Sequence, residues 1–345
     1  MTVRIGMLGS GFVANFYMQG LRDVPNQEVV VNQSRSAQRA RDFAGRWGIP
    51  AHTTRIADVL QRADVDLVVI GLPNHLHRDV VIAAAEAGKA MVITKPLGRS
   101  AAEAREMLDA VRRAGVWHGY AETEVFCPAV MHARQMIVDG AIGDVLTMRL
   151  REAHSGSHSP YNWRRETAGG GVLLTMGSHT VEAARYLVGK EVPVVEVMAW
   201  GDRLLHREKM DVEDTAVALL RFEGGQLAYT DVAFSARGGL DLRNEVYGTK
   251  GAIFTDVTRG TPVRAFTLEG AGYVLEKAEA DAGWVFPVPD EARVYGYHEE
   301  LRHFVECLSL GVPAREDFAD GYAVNVIIDA AYRSMESKRW EPVSY

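Results

Sequence analysis

Two glycines near the start of the chain have the spacing of a phosphate-binding turn. The apolar run 3–8 ends at Gly9, Ser10 and Gly11, and an amphipathic stretch over residues 12–21 follows at once. In such a strand-turn-helix unit, Gly9 permits the sharp turn and Gly11 lets a pyrophosphate approach the main chain, while Ala14 lets the helix pack on the strand. The alternative is an ordinary strand-to-helix turn. We expect a dinucleotide cradle, in which the free N–H groups of the helix start face the phosphates.

The end of the second apolar run could set the cofactor type. Residues 28–32 predict a buried strand, and Ser34 and Arg35 follow it where a dinucleotide-binding unit places an acid for the ribose hydroxyls. Ser34 and Arg35, with Arg39 one helical turn further on, could instead hold a 2′-phosphate. In the alternative, Ser34 caps the next helix and both arginines are solvated. We expect NADP as the cofactor, with NAD as the alternative.

These groups need a scaffold that brings strand ends together. Apolar runs at 67–70, 90–94 and 116–121 alternate with helical stretches, the last of them over residues 100–114. Such alternation predicts an α/β domain with a doubly wound parallel sheet, whose ligands lie beyond the carboxyl ends of the strands. Gly9, Ser34, Pro73 and Lys95 all follow predicted strands. We expect a dinucleotide-binding Rossmann domain over residues 1–122.

The pattern changes after residue 143. Strand-like segments with frequent alternation and glycine turns occur at 145–151, 194–199, 215–222, 226–233, 241–247, 252–255 and 263–268. Helical stretches at 299–310 and 319–337 close the chain. We expect an α+β domain over residues 123–345, with a large, open, mostly antiparallel sheet that binds substrate and supports a homodimer or homotetramer.

Composition limits the class of protein. The chain has 345 residues, 47% hydrophobic and 24% charged, with a net charge of -7, which suits two globular domains and a core of ordinary size. No long basic run is available for nucleic acid, and no apolar run reaches the ~20 residues of a membrane span. Cys127 and Cys307 are far apart, and we expect buried thiols. We expect a cytoplasmic protein that binds neither nucleic acid nor membrane.

Several spaced motifs together resemble the glucose-fructose oxidoreductase and inositol dehydrogenase family (Gfo/Idh/MocA). They are Gly9-x-Gly11-x-x-Ala14, Pro73-Asn74-His75-Leu76-His77, Gly88-Lys89, Lys95-Pro96-Leu97, Ala141-Ile142-Gly143, Gly169-Gly170-Gly171, Gly177-Ser178-His179, and Gly296-Tyr297 with Phe304. The resemblance implies a nicotinamide cofactor on the first domain and a sugar, cyclitol or related polyol at the open face of the second domain's sheet. It also implies that Lys95 and His179 carry the chemistry. Two positions depart from the family's motifs, with Thr94 in place of a glutamate and Thr175 in place of an aspartate.

The implied chemistry suits these residue types. Removing a hydride from a secondary alcohol requires a base for the hydroxyl proton and a cation for the developing oxygen charge. A histidine with an unperturbed pKa of ~6.5 can take the proton at neutral pH, and a lysine can stabilise the alkoxide. The alternatives are a surface lysine before a proline and a histidine that packs in the core or caps a helix.

Other side chains could contact the substrate. If the segment after Gly177 is helical, His179, Glu182 and Tyr186 share one stripe, which would face the cleft, with Glu182 orienting the imidazole or binding a hydroxyl. A solvated Glu182 is the alternative. Trp163 and Arg164 offer an aromatic face and a fork of donors for a sugar, or they anchor their loop.

Two acidic or histidine-rich segments suggest other roles. Glu152, His154 and His158 could supply metal ligands, but the segment runs through glycine and proline, so we expect a substrate-facing loop and no metal. The acidic cluster at residues 211–214 is expected to be a solvated turn.

The chain is therefore expected to be an NAD(P)-dependent oxidoreductase acting on a hydroxyl or keto carbon of a sugar, cyclitol or related polyol. The alternatives are an NAD-dependent glycosidase that uses transient oxidation and a catalytically silent, NAD(P)-sensing regulator. Lys95 and His179 are the predicted catalytic residues. The predicted substrate-binding residues are Glu182, Trp163, Arg164, His158 and Tyr297. The predicted cofactor-binding residues are Gly9, Gly11, Phe12, Val13, Ser34, Arg35, Arg39, Leu72, Pro73, Asn74, His77, Lys95, Pro96 and Glu122.

Overall fold

The computed structural model describes residues 2–261 and 263–345. By their contacts, these residues divide into two compact units. The first contains the chain up to Glu122 together with Tyr297–Asn325, and the second contains Thr123–Gly296 and Val326–Tyr345. This division differs at residues 297–325 from the expectation of one continuous second domain starting at residue 123.

The first stretch of chain alternates strands and helices. Its elements are β1 (Val3–Leu8), α1 (Phe12–Leu21), β2 (Gln27–Gln33), α2 (Ala37–Trp47), β3 (Ala51–Thr53), α3 (Ile56–Leu60), β4 (Leu67–Ile70), α4 (His77–Glu86), β5 (Ala90–Thr94), α5 (Ala101–Ala114) and β6 (His118–Ala121). The six strands form a parallel sheet in the order β3-β2-β1-β4-β5-β6. The predicted doubly wound parallel sheet is confirmed.

Local sequence explains where these helices start and stop. The Ser36 hydroxyl accepts a hydrogen bond from the Arg39 N–H at the start of α2, and the Ser100 hydroxyl accepts one from Glu103 at the start of α5. Gly48 and Gly115 end the two helices with φ of 68° and 63°, a conformation that glycine adopts without strain. Ser36 rather than Ser34 therefore caps α2.

The rest of the chain is richer in strands. Its elements are α6 (Pro128–Val138), β7 (Val145–Ala153), α7 (Arg165–Ala168), α8 (Val172–Thr175), α9 (Gly177–Val188), β8 (Val194–Asp202), β9 (Thr215–Phe222), β10 (Leu227–Ala233), β11 (Asp241–Gly248), β12 (Ala252–Asp256), β13 (Ala265–Thr267), β14 (Gly283–Val285), α10 (Glu291–Val294), α11 (Tyr297–Leu310), α12 (Phe318–Ser337) and β15 (Glu341–Pro342). Short 3-10 helices lie at Asn74–Leu76, Thr123–Phe126 and Pro160–Trp163.

A seven-stranded sheet organises the second unit. Its strand order is β12-β11-β7-β10-β9-β8-β15, and every pair is antiparallel except β7 with β10. The predicted open, mostly antiparallel sheet is confirmed. The strand expected at 263–268 is present only as β13, over Ala265–Thr267. It does not join the seven-stranded sheet, because it pairs with β14 in a separate two-stranded sheet.

The two faces of this sheet differ in their surroundings. Helices α8 and α9 pack on one face, where the inward side chains of β7, β9 and β10 are mostly apolar and buried. The opposite face carries Trp200, Tyr229 and Phe254, which are exposed to 43%, 36% and 66%. Among the described helices, none is both long and apolar enough to cross a membrane.

Candidate active site

In the first unit, the predicted cofactor residues lie at one edge of the parallel sheet. Because all six strands run in the same direction, the residues that follow β1, β2, β4, β5 and β6 lie at their common carboxyl edge. These residues are Gly9, Ser34, Gly71, Lys95 and Glu122. The strand order places the β2 end and the β5 end on opposite sides of the β1 turn.

The two glycines of the β1 turn have different surroundings. Gly9 has a φ of 108°, and a Cβ built on it would lie 2.3 Å from the carbonyl oxygen of Gly71. A Cβ on Gly11 would meet no atom within 4 Å. Gly11 is the residue before α1, and Phe12 and Val13 begin the helix with partly exposed side chains. The open space beside Gly11 at a helix N-terminus fits a dinucleotide pyrophosphate.

The end of β2 is polar and basic. The Ser34 hydroxyl is buried and lies 2.7 Å from the Ser10 hydroxyl, so it joins the β2 end to the glycine turn. Arg35 and Arg39 are both exposed. In the described part of the chain, neither guanidinium forms an ion pair.

A buried histidine joins the loops that follow β4 and β5. The His77 ring lies with Nδ1 3.0 Å from the Pro96 carbonyl oxygen and Nε2 2.9 Å from the Leu72 carbonyl oxygen. Burial lowers the pKa of His77, so the neutral ring is favoured there. His77 therefore positions the backbone of both loops. Asn74 is buried in the same segment, and Pro73 is half-buried.

The predicted catalytic lysine follows β5 directly. Lys95 is half-buried and joined to the buried Pro96 by a cis peptide bond. Thr94 before it and Glu122 after β6 are buried.

Tyr297, a predicted substrate residue, belongs to the first unit. Its ring stacks on Phe16 at a centroid distance of 4.8 Å, and it meets Tyr17 edge-on at 5.9 Å. These contacts pack the start of α11 on α1.

In the second unit, α9 carries the predicted catalytic histidine on its first turn. His179 is 9% exposed, and its Nε2 lies 4.0 Å from Oε2 of Glu152 on β7. Glu152 is itself buried, at 5% exposure. Thr175 stands four residues before His179, and its hydroxyl donates a hydrogen bond to the Gly171 carbonyl oxygen at 2.9 Å.

Glu182 has cationic partners. The side chain is fully buried and forms ion pairs with Arg185 and, at 3.6 Å, with Lys190. The helix predicted after Gly177 is present and is buried on nearly every side, so the alternative of a solvated Glu182 is wrong.

The loop after β7 is held by His154 and by Trp163. The buried His154 ring stacks on Phe234, accepts a hydrogen bond at Nδ1 from the Gly156 N–H, and has Nε2 3.1 Å from Nζ of Lys277. His158 is exposed, and its pKa is lowered by partial burial and then by the positive charge of Lys277.

Trp163 ends the 3-10 helix at Pro160–Trp163, and Arg164 comes directly after it. The Trp163 ring meets His206 edge-on, with ring centroids 5.0 Å apart. Arg164 is exposed, and its guanidinium lies 3.9 Å from an Asp211 carboxylate oxygen. These contacts anchor the loop from within the second unit.

The expectation of a solvated acidic turn at 211–214 is wrong for two of its acids. Asp214 is fully buried and accepts backbone hydrogen bonds from residues 204, 205 and 206. Burial acts to raise the pKa of Asp214, but the backbone donors outweigh it, so the pKa is lowered. Glu213 is buried and accepts from the Leu173 N–H and the Tyr332 hydroxyl. These acids hold the chain before β9.

Glu152 is a neighbour of His179 that the sequence pattern does not identify. A signal was available, because residues 146, 148, 150 and 152 alternate with the polar residues of β7 and Glu152 is the charged member of that apolar set. The pairing with His179 depends on how α9 packs on β7, which the local pattern does not show.

Two family models match successive parts of the chain. A family model described as an oxidoreductase family with an NAD-binding Rossmann fold matches residues 3–121, and a GFO/IDH/MocA C-terminal domain model matches residues 130–254. The 1,5-anhydro-D-fructose reductase of Ensifer adhaerens is 31% identical over 271 residues, covering 78% of this chain and 80% of the reductase.

Two further proteins match along nearly the whole chain. The levoglucosan dehydrogenase of Pseudarthrobacter phenanthrenivorans is 28% identical, with 99% of this chain and 98% of that enzyme covered. The crystal structure of GenD2 from gentamicin A biosynthesis, in complex with NAD, superposes with a TM-score of 0.93 at 29% identity, covering 100% of this chain and 97% of GenD2.

Proposed function

Since the chain belongs to the Gfo/Idh/MocA family of NAD-binding oxidoreductases, we propose that it transfers a hydride between a nicotinamide cofactor and a hydroxyl or keto carbon of a sugar, cyclitol or related polyol. The observation that carries the proposal is the open space beside Gly11, before α1, within the segment that matches the NAD-binding model. The substrate class is supported by relatives named for their action on levoglucosan and 1,5-anhydro-D-fructose.

The chain's own residues supply binding and proton transfer. The backbone N–H groups at the start of α1 bind the pyrophosphate, and Leu72, Pro73 and Asn74 contact the cofactor after β4. When bound, the nicotinamide supplies the hydride acceptor or donor. Lys95 stabilises negative charge on the substrate oxygen, and His179 accepts the hydroxyl proton during oxidation and returns it during reduction.

We further propose that the cofactor is NADP. Residues 33–41 contain no acid for the ribose hydroxyls, while Arg35 and Arg39 present two exposed guanidinium groups. A 2′-phosphate suits bidentate arginine contacts. NAD remains the alternative, and GenD2 was solved with it.

A homo-oligomer is also proposed, through the sheet face that carries Trp200, Tyr229 and Phe254. Large aromatic side chains on one continuous sheet face are typical of buried interfaces. A second copy of the chain is the simplest partner for such a face.

The proposal is tested by following reduced nicotinamide at 340 nm with purified protein, NADP or NAD, and a broad panel of polyols. We expect turnover with at least one polyol and a loss of about 1,000-fold in kcat for Lys95→Met, since one electrostatic stabiliser contributes roughly 10²–10³. Absence of turnover across the panel with both cofactors would reject the dehydrogenase, and hydrolysed glycoside without net reduced nicotinamide would favour the glycosidase.

A further inference from the structure

Glu152 is an acid on the buried face of a sheet. It follows Met148 and Leu150 on the inward side of β7, and its sheet neighbours on the same level are Val232 of β10 and Leu242 of β11. An ionised carboxylate in such surroundings is destabilising unless an opposite charge or hydrogen-bond donors compensate it. A hydrophobic residue would suit this position better for packing alone.

Helix α9 brings an ionisable imidazole to this acid. The helix packs on β7 and β10, and its first turn places His179 Nε2 4.0 Å from Glu152 Oε2. The His179 side chain is 11% exposed and the Glu152 side chain 6%. At this separation a carboxylate favours the protonated imidazole. Low solvent exposure strengthens the attraction between the two charges, but it also disfavours each charge by itself.

Other charged side chains near α9 have different contacts. Glu182 pairs with Arg185 and Lys190, and Glu124 of the 3-10 helix accepts a hydrogen bond from Asn244. Arg134 of α6 donates to the Leu187 carbonyl. On β10, Asp231 lies on the opposite face of the sheet and pairs with Arg151. Glu152 is thus an acid within 4.0 Å of the His179 ring, and the two form an ion pair when the imidazole is protonated.

We propose that Glu152 is the positioning residue of His179. This inference rests on the proposed function. During oxidation, the hydroxyl proton of the substrate passes to His179 as the hydride leaves the carbinol carbon for the nicotinamide. Glu152 stays ionised and transfers no proton. Its charge stabilises the imidazolium and, acting across 4.0 Å on Nε2, favours the tautomer with the proton on Nε2, which leaves Nδ1 as the basic atom.

The test is a pH titration of the full-length protein, labelled with ¹⁵N-histidine and observed by NMR, with His179 signals assigned by comparison with His179→Gln. In Glu152→Gln, we expect the midpoint of the His179 ring signals to fall by about one pH unit or more, since an opposite charge at this distance shifts titration by 1–3 units. The Nε2–H tautomer should also become less populated.

Glu213→Gln is the matched control, because Glu213 is a buried acid of the same unit whose Oε1 accepts two hydrogen bonds that glutamine can also accept. The control should leave the His179 midpoint within about 0.2 pH units. If Glu152→Gln does not fold, Glu152→Asp is measured in its place. Its shorter side chain places the carboxylate farther from His179, so the His179 midpoint should fall by a smaller amount. An unchanged midpoint in the folded Glu152 variant would overturn the inference.

Kinetics separates this inference from the proposed function. For a polyol that the wild-type protein oxidises, Glu152→Gln should lower kcat by about 100-fold with KM within threefold, since general-base catalysis contributes roughly 10²–10⁴. A shifted midpoint in a protein that oxidises no polyol would support the pair and reject the proposed function. Polyol oxidation by Glu152→Gln with the His179 midpoint and kcat unchanged would support the proposed function and reject the role of Glu152.

Discussion

Replacing Gly11 by alanine should weaken cofactor binding about 100-fold without harming the fold. A Cβ at this position meets no protein atom within 4 Å, and the backbone φ of -86° is accessible to alanine. Alanine at the helix N-cap lowers the free energy of unfolding by roughly 0.5–1 kcal/mol. Part of this loss is offset, because alanine leaves the unfolded chain with less conformational entropy than glycine does. The methyl group instead occupies the space proposed for the pyrophosphate.

The expected loss of affinity follows from the hydrogen bonds that the methyl group displaces. If it prevents one or two backbone N–H groups from reaching the phosphate, each charge-assisted bond is worth about 1.5–3 kcal/mol. A total near 3 kcal/mol corresponds to a dissociation constant about 100-fold weaker. Isothermal titration with NADP and with NAD measures this directly, and thermal unfolding of the same samples measures the stability.

Gly9→Ala is the contrasting variant. Gly9 has a φ of 108°, and an alanine Cβ would lie 2.3 Å from the Gly71 carbonyl oxygen. Backbone strain and overpacking of this kind cost about 4 kcal/mol together, which lowers Tm by roughly 10 °C. The reasoning is refuted if Gly11→Ala binds both nucleotides within threefold of wild type, or if Gly9→Ala unfolds at the wild-type temperature.

Three further predictions concern other parts of the chain. Asp214→Asn should cost about 3 kcal/mol at pH 7, because three backbone donors lose their charged acceptor. Since the folded pKa of Asp214 lies below its unfolded value, this stabilisation is complete above about pH 5 and is lost as pH falls through the folded pKa. The Tm difference between wild type and variant should therefore shrink in acid, and a constant difference would contradict the prediction. Arg35→Ala with Arg39→Ala should weaken NADP binding at least tenfold while NAD binding changes less than threefold; equal losses for both nucleotides would argue against a 2′-phosphate site. Tyr229→Glu should reduce the mass found by light scattering to that of one chain, whereas a wild-type protein that is already monomeric at micromolar concentration would remove the proposed interface.

Much of the first unit could be predicted from the sequence, because its signals are local. Buried parallel strands appear as continuous apolar runs, and Ser36, Ser100, Gly48 and Gly115 mark where helices begin and end. The ends of these strands then follow from the parallel arrangement. The hypothesis of a 2′-phosphate site at Arg35 also rests on position alone, because Arg35 follows the end of β2.

The second unit was harder to predict, because its contacts join distant segments. The parallel pairing of β7 with β10 and the packing of α9 on both strands bring Glu152 to His179. Neither contact has a local signature. The pairing of Glu182 with Arg185 was accessible from sequence, since residues three apart meet on a helix.

Direct hydride transfer is the central claim, and isotope transfer tests it most directly. The purified protein would be incubated with oxidised NADP or NAD and a polyol deuterated at each carbinol carbon, and the reduced cofactor analysed by mass spectrometry and NMR. The account predicts one deuterium at C4 of the nicotinamide ring and a matching keto product. Reduced cofactor that carries hydrogen from solvent, or a bound nucleotide that no polyol of the panel reduces, would contradict it.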